Sequence, residues 1–342
     1  MKVNSIVCRE IDDDIGTAKL EEVDLPSLDS HEVRIRLKAC AVNFPDLLMI
    51  QGKYQFKPPL PFAPGGEASG DIEACGEAVT KFKEGDAVIV SMRYGGFSEA
   101  VVVPENDVRE KPKGMEYAQA ASFQTAYLTA YVALYRRGHL QPGEVLLVHG
   151  ATGGVGMAAV DLGKHFGAQV IATGGADNKL DVVKSRGADA VINYSQPDGS
   201  LGGFREEVKS LTGGRGADVI YDPVGGDVFD ESMRCINWGG RILTIGFTSG
   251  RWPLAPVNQI LIKQIAVIGV RAGEYGRQNP IKGKENSDEI YRLAEEGLIS
   301  PYVSHAYPME KAVEAMRLLE NREVIGKAVV TMNGYELQQE RV

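Results

Sequence analysis

Short apolar runs cut by glycine and proline mark the chain from Val3 to about Phe123, as in Val33-Arg34-Ile35-Arg36-Leu37, Ala87-Val88-Ile89-Val90 and Ala100-Val101-Val102-Val103. Runs of that length, rich in β-branched residues, predict strands joined by turns and so an antiparallel, mostly-β domain. Beyond about Gln124 the texture changes. Apolar strands at Val145-Leu146-Leu147-Val148, Val170-Ile171-Ala172, Ala190-Val191-Ile192, Val219-Ile220-Tyr221, Ile242-Leu243-Thr244-Ile245 and Ile265-Ala266-Val267-Ile268 alternate with longer amphipathic stretches. That alternation is the βαβ signature of a parallel sheet, and six such strands complete a doubly wound dinucleotide-binding sheet. The last section carries two helical patterns, Ser287 to Gly297 and Glu310 to Asn321, and then a strand from Lys327 to Thr331.

The length of 342 residues exceeds what one hydrophobic core comfortably fills, which agrees with two domains. An apolar fraction of 44% and a charged fraction of 24% are those of a globular protein. A net charge of -9 works against attraction to phosphate backbones or anionic lipid, so nucleic acid and membrane surfaces are not expected partners. No run of about 18 apolar residues occurs, and Met1 to Glu10 has scattered charges with no apolar stretch before a small-residue cleavage site, which predicts a cytoplasmic protein. Cys8, Cys40, Cys75 and Cys235 form no C-x-x-C pair, so they are expected as free, buried or half-buried thiols.

Directly after the first strand of the second region comes His149-Gly150-Ala151-Thr152-Gly153-Gly154-Val155-Gly156, followed by a helical pattern from Met157 to Phe166 closed by Gly167. Set against G-x-G-x-x-G, Gly153 and Gly156 hold the second and third positions and Ala151 the first. Gly153 lets backbone approach a pyrophosphate, Gly156 lets helix pack on strand, and the helix N-terminus offers unpaired N–H groups to an anion. Such a turn can serve packing alone. Its place at the first βα corner of a six-strand alternation, where open α/β sheets bind ligands, favours a cofactor.

With NAD, an acidic residue normally ends the second strand and binds the ribose hydroxyls. Here the strand runs into Gly174-Gly175-Ala176-Asp177-Asn178-Lys179. Asp177 is a rival for that role but lies beyond the strand and reads better as the N-cap of the next helix. Without the carboxylate nothing repels a 2′-phosphate, and Lys179 can pair with it, which points to NADPH; the other reading of Lys179 is an ordinary exposed helix lysine.

Several of these segments together resemble the quinone oxidoreductases of the medium-chain dehydrogenase/reductase superfamily: Gly153 to Gly156, Pro142-Gly143-Glu144, Gly187-Ala188-Asp189-Ala190-Val191-Ile192-Asn193-Tyr194, Val42-Asn43-Phe44-Pro45-Asp46 and Pro64-Gly65-Gly66-Glu67. The resemblance runs in order along almost the whole chain, with departures at Thr152 and Asp161. It implies an α/β fold, in which residues 1–123 and 273–342 form a GroES-like, mostly-β catalytic domain and 124–272 a Rossmann NADPH-binding domain, with the active site in the cleft. It places the 2′-phosphate on Gly175, Lys179 and Tyr194, brings Lys327 toward the pyrophosphate, lines the nicotinamide pocket with Thr129 and Asn43, and turns the backbone of Phe247 to the carboxamide. It also implies pairing of Rossmann sheets edge to edge, a homodimer or a multiple of it such as a tetramer, through the apolar last strand Gln264 to Val270.

In zinc-dependent members a cysteine stands at Asn43, a histidine at Gly66 and a further cysteine or acid near Thr125. An amide, a glycine and a threonine cannot supply the three protein ligands of a catalytic zinc, so no metal is expected. His31, His139, His149, His165 and His305 all fall outside these segments and are expected as surface or satisfied core residues. Hydride transfer to a simple ketone creates alkoxide charge that zinc would stabilise. Without it the substrate must carry the charge, as a quinone does by forming a phenolate-like anion of pKa roughly 10, or an enone or enal by forming an enolate. Asn43 and Tyr54, with Asp46 between them, are the candidate donors and catalytic groups; Asp46 is equally explained as a helix-start acid and Tyr54 as a packing aromatic, while Glu67 reads as a structural partner. NADPH-dependent quinone reduction is thus the expected function, alkene reduction of enals or enones the second, and an NADPH-binding structural or sensory protein with little turnover the third.

Overall fold

The computed structural model describes residues 1–337 and gathers them in two compact units, one made of Met1–Gln124 and the chain from Ser300 onward, the other of Thr125–Ile299. The first unit opens with β1 (Lys2–Val7) and β2 (Lys19–Asp24), an antiparallel pair. It continues through β3 (Glu32–Ala41), α1 (Phe44–Ile50), β4 (Glu67–Cys75), β5 (Ala87–Ser91), β6 (Ala100–Pro104), β7 (Val108–Glu110) and α2 (Tyr117–Ala120). The centre of this unit is β3, which pairs antiparallel with both β4 and β6. Its period-2 pattern explains the position: Val33, Ile35 and Leu37 are fully buried in the core with Val88, Val90 and Phe97, while Arg34 and Arg36 turn outward to Glu73.

The second unit begins within α3 (Gln124–Tyr131), which runs on as a π-helical stretch over Val132–Arg137. Then follow β8 (Val145–Val148), α4 (Gly154–His165), β9 (Gln169–Gly174), α5 (Asp177–Ser185), β10 (Ala190–Asn193), α6 (Arg205–Leu211), β11 (Ala217–Asp222), α7 (Gly226–Cys235), β12 (Ile236–Thr244), α8 (Val257–Lys263), β13 (Ala266–Gly269), α9 (Ala272–Gln278) and α10 (Pro280–Glu295). The six strands are parallel in the order β10-β9-β8-β11-β12-β13. All four residues of β8 are buried, as a strand covered on both faces requires. The order reverses direction between β8 and β11, and ligands of doubly wound sheets bind at the carboxyl ends of the strands flanking that point. The sequence pattern therefore placed the Gly-rich turn at the switch of the sheet.

The chain then returns to the first unit as β14 (Val303–Pro308), α11 (Ala312–Glu320) and β15 (Lys327–Thr331). Antiparallel pairing of β15 with β3 sets Val329 beside Ala41, and the Val42 amide donates to the Ala328 carbonyl at 2.9 Å. This register carries Lys327 to the end of β3. One boundary differs from the sequence reading: residues 273–299 belong to the second unit. The reason is packing of the α9–α10 hairpin, in which Gly276 and Gly283 meet closely, while Arg136 of the π-helical stretch bonds Asn286 and Glu285 of α10, each at 2.7 Å.

Candidate nucleotide site and buried polar cluster

In the second unit, the turn after β8 is shaped by glycines at two kinds of place. Gly150 adopts φ +56, the left-handed region that a side chain disfavours, one residue before the position at which the motif places its first glycine. Gly156 is needed for closeness: a Cβ there would lie 2.2 Å from the Gly150 carbonyl oxygen and 2.8 Å from the Ala151 Cα. At Gly153 a Cβ would meet nothing nearer than 3.6 Å, and this residue is the N-cap of α4. No side chain caps that helix, so the N–H groups of Gly154, Val155 and Gly156 begin it without intrahelical acceptors, and together with the helix dipole they suit an anion.

The carboxyl end of β9 lies alongside. Gly174 pairs in register with Asn193 of β10, and its carbonyl accepts from the Tyr194 amide at 3.1 Å. A Cβ on Gly174 would press on Thr152 and Leu180 at 3.0 and 3.1 Å, so the departure at Thr152 packs against a glycine that leaves room for it. Gly175 is exposed, and a Cβ there would meet only Ser195, with its Oγ at 2.8 Å. Lys179 stands in the first turn of α5. The structure thus brings Gly175, Lys179 and Tyr194 to one edge of the sheet. Asp177 is the first residue of α5 rather than its N-cap, a place taken by Ala176; its carboxylate accepts from the Asn193 side chain at 2.8 Å. Because the cap position went to Ala176, Asp177 is left to tie α5 to β10.

Around this turn is a polar framework that sequence reasoning largely missed. Asp222 ends β11 fully buried, its Oδ1 accepting from the Val224 and Gly225 amides at 2.8 and 2.9 Å, its Oδ2 without a partner, and burial pushes its carboxyl up to about 6. The signal available was Asp222-Pro223 closing a strand before Gly225-Gly226. His149, expected as a satisfied core residue, is fully buried with Nδ1 2.8 Å from Thr173 Oγ1 and Nε2 2.8 Å from Ser232 Oγ. Since Ser232 gives its proton to the Val228 carbonyl, His149 donates through Nε2 and accepts at Nδ1 from Thr173; burial holds its pKa down at about 3, so it is neutral. Asp161 accepts from the Tyr127 hydroxyl and the Arg186 guanidinium, both at 2.5 Å, which joins α3, α4 and the end of α5. Thr129 spends its hydroxyl on the Thr125 carbonyl one turn back, at 2.7 Å, and the carbonyl of the exposed Phe247 is held by the Gly250 amide.

In the first unit, Asn43 is the N-cap of α1 but does not cap it with its side chain. Its Nδ2 donates to Glu67 Oε1 at 2.9 Å and its Oδ1 accepts from Lys327 Nζ at 2.6 Å; Lys327 also reaches Glu67 Oε1 at 3.1 Å. Glu67 and Lys327 are both buried, so the ion pair is a tight one that fixes which way the Asn43 amide faces. One N–H of Asn43 and one of Lys327 remain for another group. Asp46, 1% exposed, accepts from the Asn43 amide at 2.8 Å and the Gly65 amide at 3.0 Å, fastening α1 to the loop before β4. Burial pushes its carboxyl up to about 7 against the opposing pull of those two amides. Burial likewise drives the neighbouring Cys40 thiol well up, so it is inert. Tyr54 packs half-buried on the core of this unit, outside the hydrogen-bonded cluster. The cluster sits where the sequence looked for metal ligands, and it consists of an amide, a carboxylate that accepts from it and an ammonium that donates to both. Among the described residues no group of three or more His, Cys, Asp and Glu could hold a metal ion.

A doubly wound sheet with an uncapped helix at its switch, together with a separate antiparallel β unit, defines a nucleotide-binding α/β protein of two compact units. Comparison with known proteins gives the family. Residues 154–283 match the zinc-binding dehydrogenase family and residues 29–113 the alcohol dehydrogenase GroES-like domain. The quinone oxidoreductase-like protein 2 homolog of Nematostella vectensis is 36% identical over 329 residues, which is 95% of this chain and 88% of that one, and the quinone oxidoreductase of Rattus norvegicus is 28% identical, with 91% and 92% covered. Among solved structures, an NAD-dependent alcohol dehydrogenase superposes with a TM-score of 0.87 at 32% identity over 96% and 100% of the two chains. A mycobacterial protein in complex with NADPH gives 0.85 at 27% over 96% and 99%, and the CurK enoyl reductase 0.83 at 26% over 97% and 99%. The chain belongs to the zinc-independent, quinone oxidoreductase-like members of the medium-chain dehydrogenase/reductase superfamily.

Proposed function

We propose that this protein uses NADPH to reduce quinones without a metal ion. The observation that carries the cofactor choice is the end of β9, where two glycines stand in place of an acid and Lys179 and Tyr194 flank them. On this reading the α4 N-terminus takes the pyrophosphate, with Gly153, Gly154, Val155 and Gly156 as its cradle, and Gly175, Lys179 and Tyr194 take the 2′-phosphate. Thr129, Asn43 and the Phe247 backbone serve the nicotinamide. Lys327, committed to Asn43 and Glu67, keeps one N–H for the phosphates.

When bound, the nicotinamide supplies the reducing equivalents. The chain's part is to orient the acceptor, exclude water and offer hydrogen bonds to the oxygen on which charge develops. Asn43 offers its remaining N–H, and Glu67 and Lys327 hold that N–H in one direction; Tyr54 offers a hydroxyl. Asp46, both oxygens occupied, acts as a positioning residue for α1. A quinone carries the rest of the charge itself. Reduction of an enone or enal would use the same groups, and the likeness to an enoyl reductase favours keeping it as the second reading.

The test is NADPH and NADH oxidation against a panel of quinones, enones and saturated ketones. Quinones with NADPH should react fastest and saturated ketones not at all; ketone turnover at the quinone rate would overturn the reading, and no oxidation of either cofactor would leave a binding protein. Elemental analysis should find no stoichiometric zinc, and one zinc per chain would refute metal-free catalysis. We further propose a cytoplasmic homodimer or a multiple of it. All four cysteines are free thiols, as a reducing compartment favours. The edge strand β13 is flanked by Trp252, Leu254, Val257, Leu261 and Ile262, all more than 70% exposed, and an isologous partner strand would close that edge. No helix among the described residues is long and apolar enough to cross a membrane. Light scattering should give at least twice the chain mass, falling to the monomer in Leu261→Glu.

A further inference from the structure

A cavity of about 240 Å³ opens in the second unit between the π-helical stretch, the end of β13 and α9, with no residue of the Gly-rich turn in its lining. Its apolar wall is Val132, Val270 and Tyr275; its polar wall is Arg137, Arg271 and Glu274. A six-residue π-helix is rare, and such turns occur where a side chain must be displaced from α-helical register, often at functional sites.

The charges at this cavity do not cancel. Of the consecutive arginines in the π-helical stretch, Arg136 is committed to Asn286 and Glu285 and lies over the Tyr135 ring, whereas the Arg137 guanidinium has no hydrogen bond or ion pair among the described residues. The same division holds on α9. Glu274 is claimed by Arg277 at 2.9 Å and Gln278 at 2.8 Å, which leaves Arg271 influencing it only from beyond ion-pair distance. Two uncommitted guanidinium groups thus border one small cavity in a chain of net charge -9, which would otherwise disperse cations among its many carboxylates.

We infer that this cavity binds a small oxyanion carried on a flat apolar body, a carboxylate or a phosphate ester, with Arg137 and Arg271 on the oxygens and Val132, Val270 and Tyr275 against the body. Guanidinium forks match both oxyanions in geometry. The volume is below the roughly 300 Å³ usual for ligands of drug size and suits a single aromatic ring with its acid. None of its residues is among those the proposed function gives to cofactor or substrate.

The test is calorimetric titration of the full chain, without nicotinamide cofactor and at low ionic strength, with benzoate, phenyl phosphate and neutral benzamide. One of the two anions should bind saturably and benzamide should not; the tighter anion identifies carboxylate or phosphate ester as the natural group. Arg137→Ala and Arg271→Ala should each weaken that binding about tenfold or more, the loss of one charge-assisted contact, and Arg271→Lys should recover only part of it. Arg215→Ala, which removes one exposed charge elsewhere, should leave it unchanged. Thermal melts of the arginine variants should match the parent, since both side chains are exposed. Absence of saturable binding by either anion, equal binding of benzamide, or an equal loss in Arg215→Ala would overturn the inference.

Discussion

Asn43, Glu67 and Lys327 in the first unit form a knot of one half-buried and two buried side chains drawn from three stretches of chain, the last of them 284 residues from the first. The turn after β8 in the second unit is built from neighbours in sequence, mostly backbone, and its character comes from side chains that are missing. The first arrangement depends on charge compensation in a desolvated place, where removal of one partner exposes the others to the full cost of burial. The second depends on steric room and on amides with no competing cap. One is fragile to loss of an atom, the other to gain of one.

Lys327→Met is the strongest way to break that contrast. It takes the ammonium from a fully buried carboxylate and should destabilise the protein by about 3–5 kcal/mol in denaturant titrations, while Lys327→Met combined with Glu67→Gln should recover most of the loss. If the single variant were as stable as the parent, the knot would not be held by charge.

Gly156→Ala probes the opposite kind of site. A methyl 2.2 Å from a backbone oxygen forces α4 away from β8, and the cost should reach about 3 kcal/mol with loss of cofactor binding. Gly153→Ala, with nothing nearer than 3.6 Å, should melt like the parent. Any fall in NADPH affinity in that variant then reports approach of the ligand to backbone, apart from packing.

Lys179→Ala should weaken NADPH by roughly 1.5–3 kcal/mol and NADH hardly at all, measured as Kd by fluorescence titration. Equal losses for both cofactors would mean that the end of β9 does not read the 2′-phosphate. Smallest is Tyr54→Phe, where kcat and kcat/KM should fall together by about ten- to a hundredfold, below the loss typical of an oxyanion donor in acyl transfer because a quinone stabilises its own charge. A parent kcat with a raised KM would make Tyr54 a packing residue only.

The two regions also differ in how far they could be read from the chain. The six parallel strands were legible because buried strands and amphipathic helices leave runs in the sequence, and Gly156 was legible because its requirement is steric and local. Gly150 was not singled out, since a left-handed φ depends on how the turn meets Pro223 and Val224, whose side chains stand 3.3 Å from where its Cβ would lie. Asp161 looked like a departure from pattern; its bonds to Tyr127 and Arg186 come from two other helical segments. The boundary near 273 was misplaced because nothing in α9 or α10 states which surface their faces will meet.

The sequence by itself determined the two kinds of domain, the position of the Gly-rich turn and the missing acid after β9, all of which follow from periodicity and from residue types within a few positions of one another. Only the tertiary structure decided that Lys327 closes on Asn43 and Glu67, that His149 is a neutral link between Thr173 and Ser232, and that Arg137 and Arg271 are left beside one cavity. These are matters of which distant groups share a desolvated space, and the energy of a buried charge or hydrogen bond is set by that neighbourhood, which no local pattern along the chain contains.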